Sequence, residues 1–158
     1  MAITTFIKFD GIDGESQDRD HRGEIEVLSW SWGFSSVAPA GGGGGAGSGR
    51  AVPADLTFVH RYDKASPMLA KAGIAGRHFR FATLSARKSG EGQKDFLKVT
   101  LKEVIVTSVQ HQGQDEQIAE IVTLRAREVG NEYKPQSANG ALGVPVKFNW
   151  NIATSEVV

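Results

Sequence analysis

Gly11-Ile12-Asp13-Gly14-Glu15-Ser16-Gln17-Asp18, then His21, then Gly23-Glu24-Ile25-Glu26-Val27-Leu28-Ser29-Trp30-Ser31-Trp32-Gly33, is the stretch from which the fold is read. The first part is a turn rich in Gly and Asp. The second is a strand whose apolar face changes side. Ile25 and Val27 lie on the odd face, whereas Leu28, Trp30, Trp32 and Phe34 lie on the even face, opposite Ser29, Ser31 and Gly33. Successive side chains of a strand point to opposite faces. A switch therefore predicts a β-bulge near Val27 and Leu28, or a strand that passes from one packing layer to another.

The same period-2 pattern recurs along the chain. Ile3, Thr5, Ile7 and Phe9 share one face of a first strand, and Leu56 to Tyr62 read as another. In residues 77–87, Phe79 and Phe81 alternate with His78 and Arg80. Residues 96–109 place Leu97, Val99 and Leu101 on one face, and residues 116–129 do the same with Ile118, Val122, Leu124 and Ala126. The last strand is the cleanest: Val144, Val146, Phe148, Trp150 and Ile152 alternate with Lys147, Asn149, Asn151 and Ala153. One short helix fits between strands. Asp63 or Ser66 caps it, Pro67 suits its first turn, Gly73 or Gly76 ends it, and Met68, Leu69 and Ala72 face inward. The polar stretch 110–116 reads as a turn, and residues 131–143, with Pro135, Asn139, Gly140 and Gly143, read as a loop.

The expected fold is mainly β: a small β-barrel of two packed, antiparallel-rich sheets with one short α-helix and a long Gly-rich loop. The loop is the low-complexity run AGGGGGAGSG at residues 40–49. Too few strands precede it to fold alone, so residues 1–158 are expected to form a single domain. Loops of this length and composition tend to be functional or disordered.

The 158-residue chain contains no cysteine, which removes disulfides and thiolate metal sites from consideration. Lys+Arg and Asp+Glu both number 18, so no global charge draws the protein to nucleic acid or an acidic membrane. The first ten residues lack a basic segment and a long apolar run, and no stretch approaches the roughly 18–20 apolar residues of a membrane span. The expectation is a protein that starts in the cytoplasm and that, if it leaves the cell, does so without a cleavable signal peptide.

No constellation of catalytic residues stands out. Gly42, Gly44 and Gly47 match G-x-G-x-x-G only trivially, because Val52-Pro53 and a strand follow where the dinucleotide motif needs a helix. Ser48 lies in Ala46-Gly47-Ser48-Gly49-Arg50, which is no nucleophile elbow. No two of the four histidines have local metal spacing; His60 and His78 read as barrel-surface or satisfied core residues, and His21 and His111 as solvated turn residues. Asp10, Asp13, Glu15, Asp18 and Asp20 read as a solvated acidic turn interleaved with Arg19 and Arg22, without the EF-hand spacing. Trp30 and Trp32 share a face with Leu28 and Phe34 and have acidic neighbours, which favours core or interface packing over stacking on bases or sugars. The protein is expected to be no enzyme and to need no cofactor or metal.

The chain resembles the Hcp family, the tube proteins of bacterial type VI secretion, along nearly its whole length. The resemblance rests on Phe6-Ile7-Lys8, Gly14-Glu15-Ser16, His21 and the stretch Ile25 to Gly33. It continues through the Gly-rich loop, Asp63 to Leu69, Leu101 to Val109, Tyr133-Lys134-Pro135-Gln136, Gly143 to Pro145 and Phe148 to Ile152. It implies a homohexameric ring that stacks head-to-tail into a tube inside a contractile sheath and is capped by a VgrG-type spike. It also implies that effector proteins are carried and chaperoned in the ring lumen. A wide lumen is water-filled, so its wall should be small and polar: Ser29, Ser31 and Gly33 fit it, with Leu28, Trp30 and Trp32 behind. Ser31 is the leading cargo contact. Gly41, Gly42, Gly43, Gly44, Gly45, Ser48 and Arg50 are the leading ring-stacking positions. Two other readings stand beside this one: a monomeric β-barrel that binds a small ligand or carbohydrate at its Trp cluster, and a hydrolase that pairs a His and a carboxylate beside a nucleophile.

Overall fold

A computed structural model describes residues 2–36, 50–90 and 92–158. The main strands form where the alternation predicts them, although Val144 and Ile152 fall outside the last long strand and short strands of two or three residues are added. In chain order the elements are β1 (Ile3–Phe9), β2 (Ile25–Ser31), β3 (Phe34–Ser36), β4 (Ala51–Pro53) and β5 (Leu56–Arg61), then α1 (Ala65–Ala75), β6 (His78–Lys88), β7 (Asp95–Gly113), β8 (Ile118–Tyr133), β9 (Val146–Asn151) and β10 (Glu156–Val157). One eight-stranded sheet runs β10-β9-β8-β5-β2-β1-β6-β7, and β7 pairs again with β8. That last pairing closes β8, β5, β2, β1, β6 and β7 into a barrel and leaves β9 and β10 as a flap. The two packed sheets of the sequence reading are the two walls of this closed sheet. A separate β3–β4 hairpin brackets the Gly-rich segment.

The barrel is filled from all sides by Ile7, Phe9, Ile25, Leu56, Phe58, Phe79, Leu84, Leu101, Val104, Val122 and Leu124. Each such side chain contributes about 1.5–3 kcal/mol of burial free energy. β1 is buried on both faces. Ile7 and Phe9 point into the barrel, while Phe6 on the outside is stacked under the His21 ring, with centroids 4.5 Å apart. The turn around Gly14 is therefore packed onto the barrel. The Gly14 N–H donates to the Gly23 carbonyl at 2.8 Å, and a Cβ at position 14 would stand 2.6 Å from the Glu24 carbonyl oxygen.

The helix starts two residues before Pro67, because Asp63 and Ser66 cap reciprocally: Asp63 Oδ1 accepts from the Ala65 N–H at 2.9 Å, and Ser66 Oγ accepts from the Asp63 N–H at 3.1 Å. Gly76, at φ 67°, ends it in the left-handed conformation. Leu69 and Ala72 face the barrel as expected, but Met68 is exposed, since it lies a quarter-turn off their stripe. β7 extends to Gly113, beyond the sequence expectation, because Gln110, His111, Gln112 and Gly113 are paired with β8 despite their polarity.

Glu103 is the strained point of the sheet. It has φ 53° inside β7, and the ladders on both sides pass over it: Phe79 and Phe81 oppose Val104 and Lys102, as do Ala126 and Glu128. Its side chain is exposed, so packing does not offset the strain. Replacing Glu103 with Gly is expected to raise stability by about 0.5–1 kcal/mol, and Glu103→Val to lower it by about 1 kcal/mol or more. Urea midpoints at fixed protein concentration measure both.

Candidate functional site

The face switch in β2 is a bulge. The β2–β5 register shifts between Val27 and Ser29, which makes Leu28 the extra residue. Before it Ile25 and Val27 point inward; after it Trp30 packs against the core while Ser29 and Ser31 point to solvent. Two consecutive side chains, Leu28 and Ser29, thus face outward. This corrects the expectation for Leu28, which is 44% exposed rather than hidden behind the serines. Gly33 is half-buried and its carbonyl accepts from the Ala54 N–H at 2.8 Å, so it fixes the turn into β3 beside the two serines.

Gly41, Gly42, Gly43, Gly44, Gly45 and Ser48 lie outside the described residues. Arg50, where the described chain resumes, is exposed, and its Nη2 donates to Ser155 Oγ at 3.3 Å. Both lie on the rim of an apolar cleft of about 640 Å³ lined by Trp32, Phe34, Ala51, Phe148, Trp150 and Val157. Trp32 lies 6.4 Å, centroid to centroid, from both Phe34 and Phe148, and Phe34 meets Trp150 edge-on at 6.1 Å. Phe34 is 60% exposed and Phe148 37%. Val146 and Val157 extend the same apolar area to the flap.

Three of the four histidines, His21, His60 and His111, face carboxylates, while His78 is exposed. His21 is buried rather than solvated. Its Nδ1 lies 2.8 Å from Glu24 Oε2 and its Nε2 2.9 Å from Asp95 Oδ1, while Arg87 Nε donates to the same Asp95 oxygen at 3.0 Å. The rings and carboxylates lock the acidic turn to β6 and β7. The acidic residues of that turn diverge: Asp10 pairs with Arg80, Asp18 and Asp20 with Arg87, and Glu15 accepts from the Lys64 N–H. The Arg80 guanidinium, through its hydrogen bond, holds the Asp10 carboxyl below its ordinary value.

A second cluster lies on one row of β5, β8 and β7. Fully buried Glu120 takes His60 Nε2 at 2.8 Å and half-exposed His111 Nε2 at 2.6 Å. His60 Nδ1 is buried without a hydrogen-bond partner among the described residues, 3.9 Å from Asp63 Oδ2. The alternation carries a signal for this pair: Glu120 shares its face with Val122 and Leu124, and His60 shares its face with Leu56 and Phe58. The ring nitrogens engaged in hydrogen bonds face carboxylates, not hydroxyls, so the cluster fastens strands and presents no activated nucleophile.

Removing Glu120 strands a buried imidazole, so Glu120→Ala is expected to cost about 3–5 kcal/mol, against under about 1 kcal/mol for His111→Ala at the rim. Thermal and urea unfolding of the two variants check the order. Burial pushes the Asp63 carboxyl up, against the pull of His60. A raised carboxyl favours the folded state only while it is protonated; that contribution is present below about pH 4 and is lost as pH rises through the folded value. Asp63→Asn keeps an acceptor for the Ala65 N–H. Its stability relative to the parent is therefore expected to increase from about pH 4 to about pH 7, as read from urea midpoints across that range.

A family model described as "Type VI secretion system effector, Hcp" matches residues 6–133. Protein hcp1 of Pseudomonas aeruginosa is 50% identical over 156 residues, which is 96% of either chain. Among solved structures, one described as a type six secretion system protein superposes with a TM-score of 0.91 at 30% identity, over 99% of this chain and 100% of its own. Hcp1 from Salmonella typhimurium superposes with a TM-score of 0.83 at 32% identity over the full length of both.

Proposed function

The chain belongs to the Hcp family of type VI secretion, and from that premise we propose that it works as the repeating subunit of a secreted tube: a homohexameric ring that stacks on further rings and carries effector proteins in its lumen. The observation that carries the reading is the aromatic cleft. Trp32, Phe34, Phe148 and Trp150 form an apolar seat in which the Phe34 and Phe148 rings are exposed over buried Trp150. An area of this kind on a protein of this size marks an interaction site. Aromatic side chains supply much of the binding energy of permanent interfaces. Seated against a different patch of the next copy, it gives a heterologous contact, which is the contact that closes a ring.

Within that ring the lumen wall is the face of β2 that carries Ser29 and Ser31, with Gly33 holding its end. Ring-to-ring stacking falls to the segment holding Gly41, Gly42, Gly43, Gly44, Gly45 and Ser48, anchored at Arg50 beside Ser155. The expected partners are further copies of the ring, a spike protein of VgrG type, the contractile sheath and effector proteins. Membranes and nucleic acids are not expected partners, and no helix among the described residues is long and apolar enough to cross a membrane.

Six chains of 17.0 kDa make a particle of about 102 kDa. Light scattering of the purified protein is expected to find that mass, with annular particles in negative stain. Phe148→Asp, which places a charge in the cleft at a half-exposed site, is expected to reduce the mass to that of one chain with unchanged circular dichroism. A parent protein that stays monomeric at high concentration overturns the ring and leaves the cleft as the seat of a small apolar or sugar ligand. In the ring, a bulky residue at Ser31 is expected to lower effector retention without altering mass. Shortening the Gly-rich segment is expected to weaken stacking while rings persist.

A further inference from the structure

His60 has one ring nitrogen more than its surroundings satisfy. The ring is fully buried, at the end of β5 that leads into α1. Its Nε2 lies 2.8 Å from Glu120 Oε1, and His111 Nε2 lies 2.6 Å from the other oxygen of the same carboxylate. A carboxylate shut from water and met by two imidazoles sets the tautomer, so the His60 proton sits on Nε2. Nδ1 is the atom left over. It has no hydrogen-bond partner among the described residues, and Asp63 Oδ2 stands 3.9 Å away.

Neither of these two atoms brings a proton to the other. A neutral ring presents a lone pair on Nδ1, and an ionised Asp63 presents another on Oδ2. The two acceptors confront each other in a nearly dry site, with side chains only 1% and 12% exposed. One added proton removes the conflict whichever atom takes it, and a small rotation of the carboxylate then makes the bond. Burial pushes the Asp63 carboxyl up, His60 and the Ala65 N–H pull it down, and Glu15 of the acidic turn and Glu120 of β8 add to the upward push. His111 of β7 reaches only the far oxygen of Glu120, and the flanking cations Arg61 and Lys64 are exposed.

Asp63 is also the residue that starts α1. Its Oδ1 accepts from the Ala65 N–H at 2.9 Å, its carbonyl accepts from the Ser66 N–H at 3.0 Å, and its own N–H donates to Ser66 Oγ at 3.1 Å. Ala65 and Ser66 are fully buried in that turn. A movement of the Asp63 carboxyl is therefore a movement of the first turn of α1.

We propose that a single proton shared between His60 Nδ1 and Asp63 Oδ2 latches the first turn of α1 onto the end of the barrel, and that its loss frees that turn. The closed form holds one proton more than the open form, so closure is favoured as pH falls and is released as pH rises. This end of the barrel is tighter in acidic surroundings than in alkaline ones. The latch lies within one chain and is independent of ring formation.

Amide hydrogen exchange followed by NMR from about pH 5 to about pH 9, with protection factors corrected for the intrinsic rate at each pH, tests the latch. The Ala65 and Ser66 amides are expected to lose roughly tenfold in protection in one step as pH rises. The Arg77 amide at the far end of α1, which donates to the Ala72 carbonyl at 2.9 Å, is expected to stay level. The nitrogen resonance of His60 Nδ1 is expected to shift in the same step. Asp63→Asn supplies a permanent donor toward Nδ1 while its amide oxygen still caps Ala65, so its protection is expected to remain at the parent's acid value throughout. His111→Gln, which removes the other imidazole at Glu120, is expected to keep the step. A level parent profile, a step that Arg77 shares, a step that survives Asp63→Asn or one that disappears in His111→Gln each overturn the proposal. Should a variant not fold, the parent decides alone: a step without a matching Nδ1 shift overturns the latch, and a step with one supports it.

Discussion

Everything in this molecule depends on β8 serving three neighbours. One edge pairs with β7 from Tyr133 to Ile118 and closes the barrel. The other edge is divided: Ala119 to Leu124 pair with β5, and Glu128 to Tyr133 pair with β9. Between these spans Arg125, Ala126 and Arg127 face neither strand, and the sheet forks. The Ile152 N–H caps the fork by donating to the Arg127 carbonyl, and Asp55 bonds Arg125 across it. A fork in a sheet leaves a wedge-shaped gap that small side chains cannot fill. Trp32, Ala126, Val129 and Ile152 meet there, and Trp150 and Phe148 on the diverging strand carry the aromatic cleft onward. The candidate interface is thus a geometric consequence of ending β5 and starting β9 on the same edge.

Much of this was legible from residue order because one face of most strands is buried, and burial imposes period 2. The clearest case is β2. A shift of the apolar set from odd to even positions can be satisfied only by a bulge or a change of layer, and the bulge lies at Leu28. The side to which Leu28 itself points was not legible. Alternation assigns it to the tryptophan face, but a bulged residue belongs to neither face in full, and its direction is set by the partner strand. Met68 fails for a related reason: an apolar residue beside a short helical stripe is read as part of it, although the stripe is only as wide as Leu69 and Ala72 require.

The polar interior was less legible. His21 stands in a Gly- and Asp-rich turn, and turns are ordinarily solvated. Here the outer face of β1 carries Phe6, and covering Phe6 drags the turn and its histidine onto the barrel. Once desolvated, that ring needs Glu24 and Asp95, and Asp95 is 74 residues away. Contacts at that separation leave no local pattern. Glu120 and His60 were closer to readable, since both occupy inward positions of otherwise apolar strands. An ionisable group at an inward position demands a partner, and two such positions on neighbouring strands are the expected pair.

The two outward faces then differ for a physical reason. A contact between permanent copies gains from large, rigid aromatic area and has no need to let go. A contact with cargo must hold in transit and release at the end. Neutral hydrogen bonds contribute only about 0.5–1.5 kcal/mol net, because water competes for the same groups. One such face is a weak binder. In the proposed ring, the same face repeated around the circle would meet an enclosed partner at high effective concentration, and weak contacts would add without any becoming irreversible. Charge would serve worse on both counts: it would restrict the range of partners and make retention depend on the salt of the medium. A row of Ser and Thr on the outer face, ending at Ser31 one residue before Trp32 of the aromatic seat, keeps the two kinds of surface chemically distinct although they adjoin.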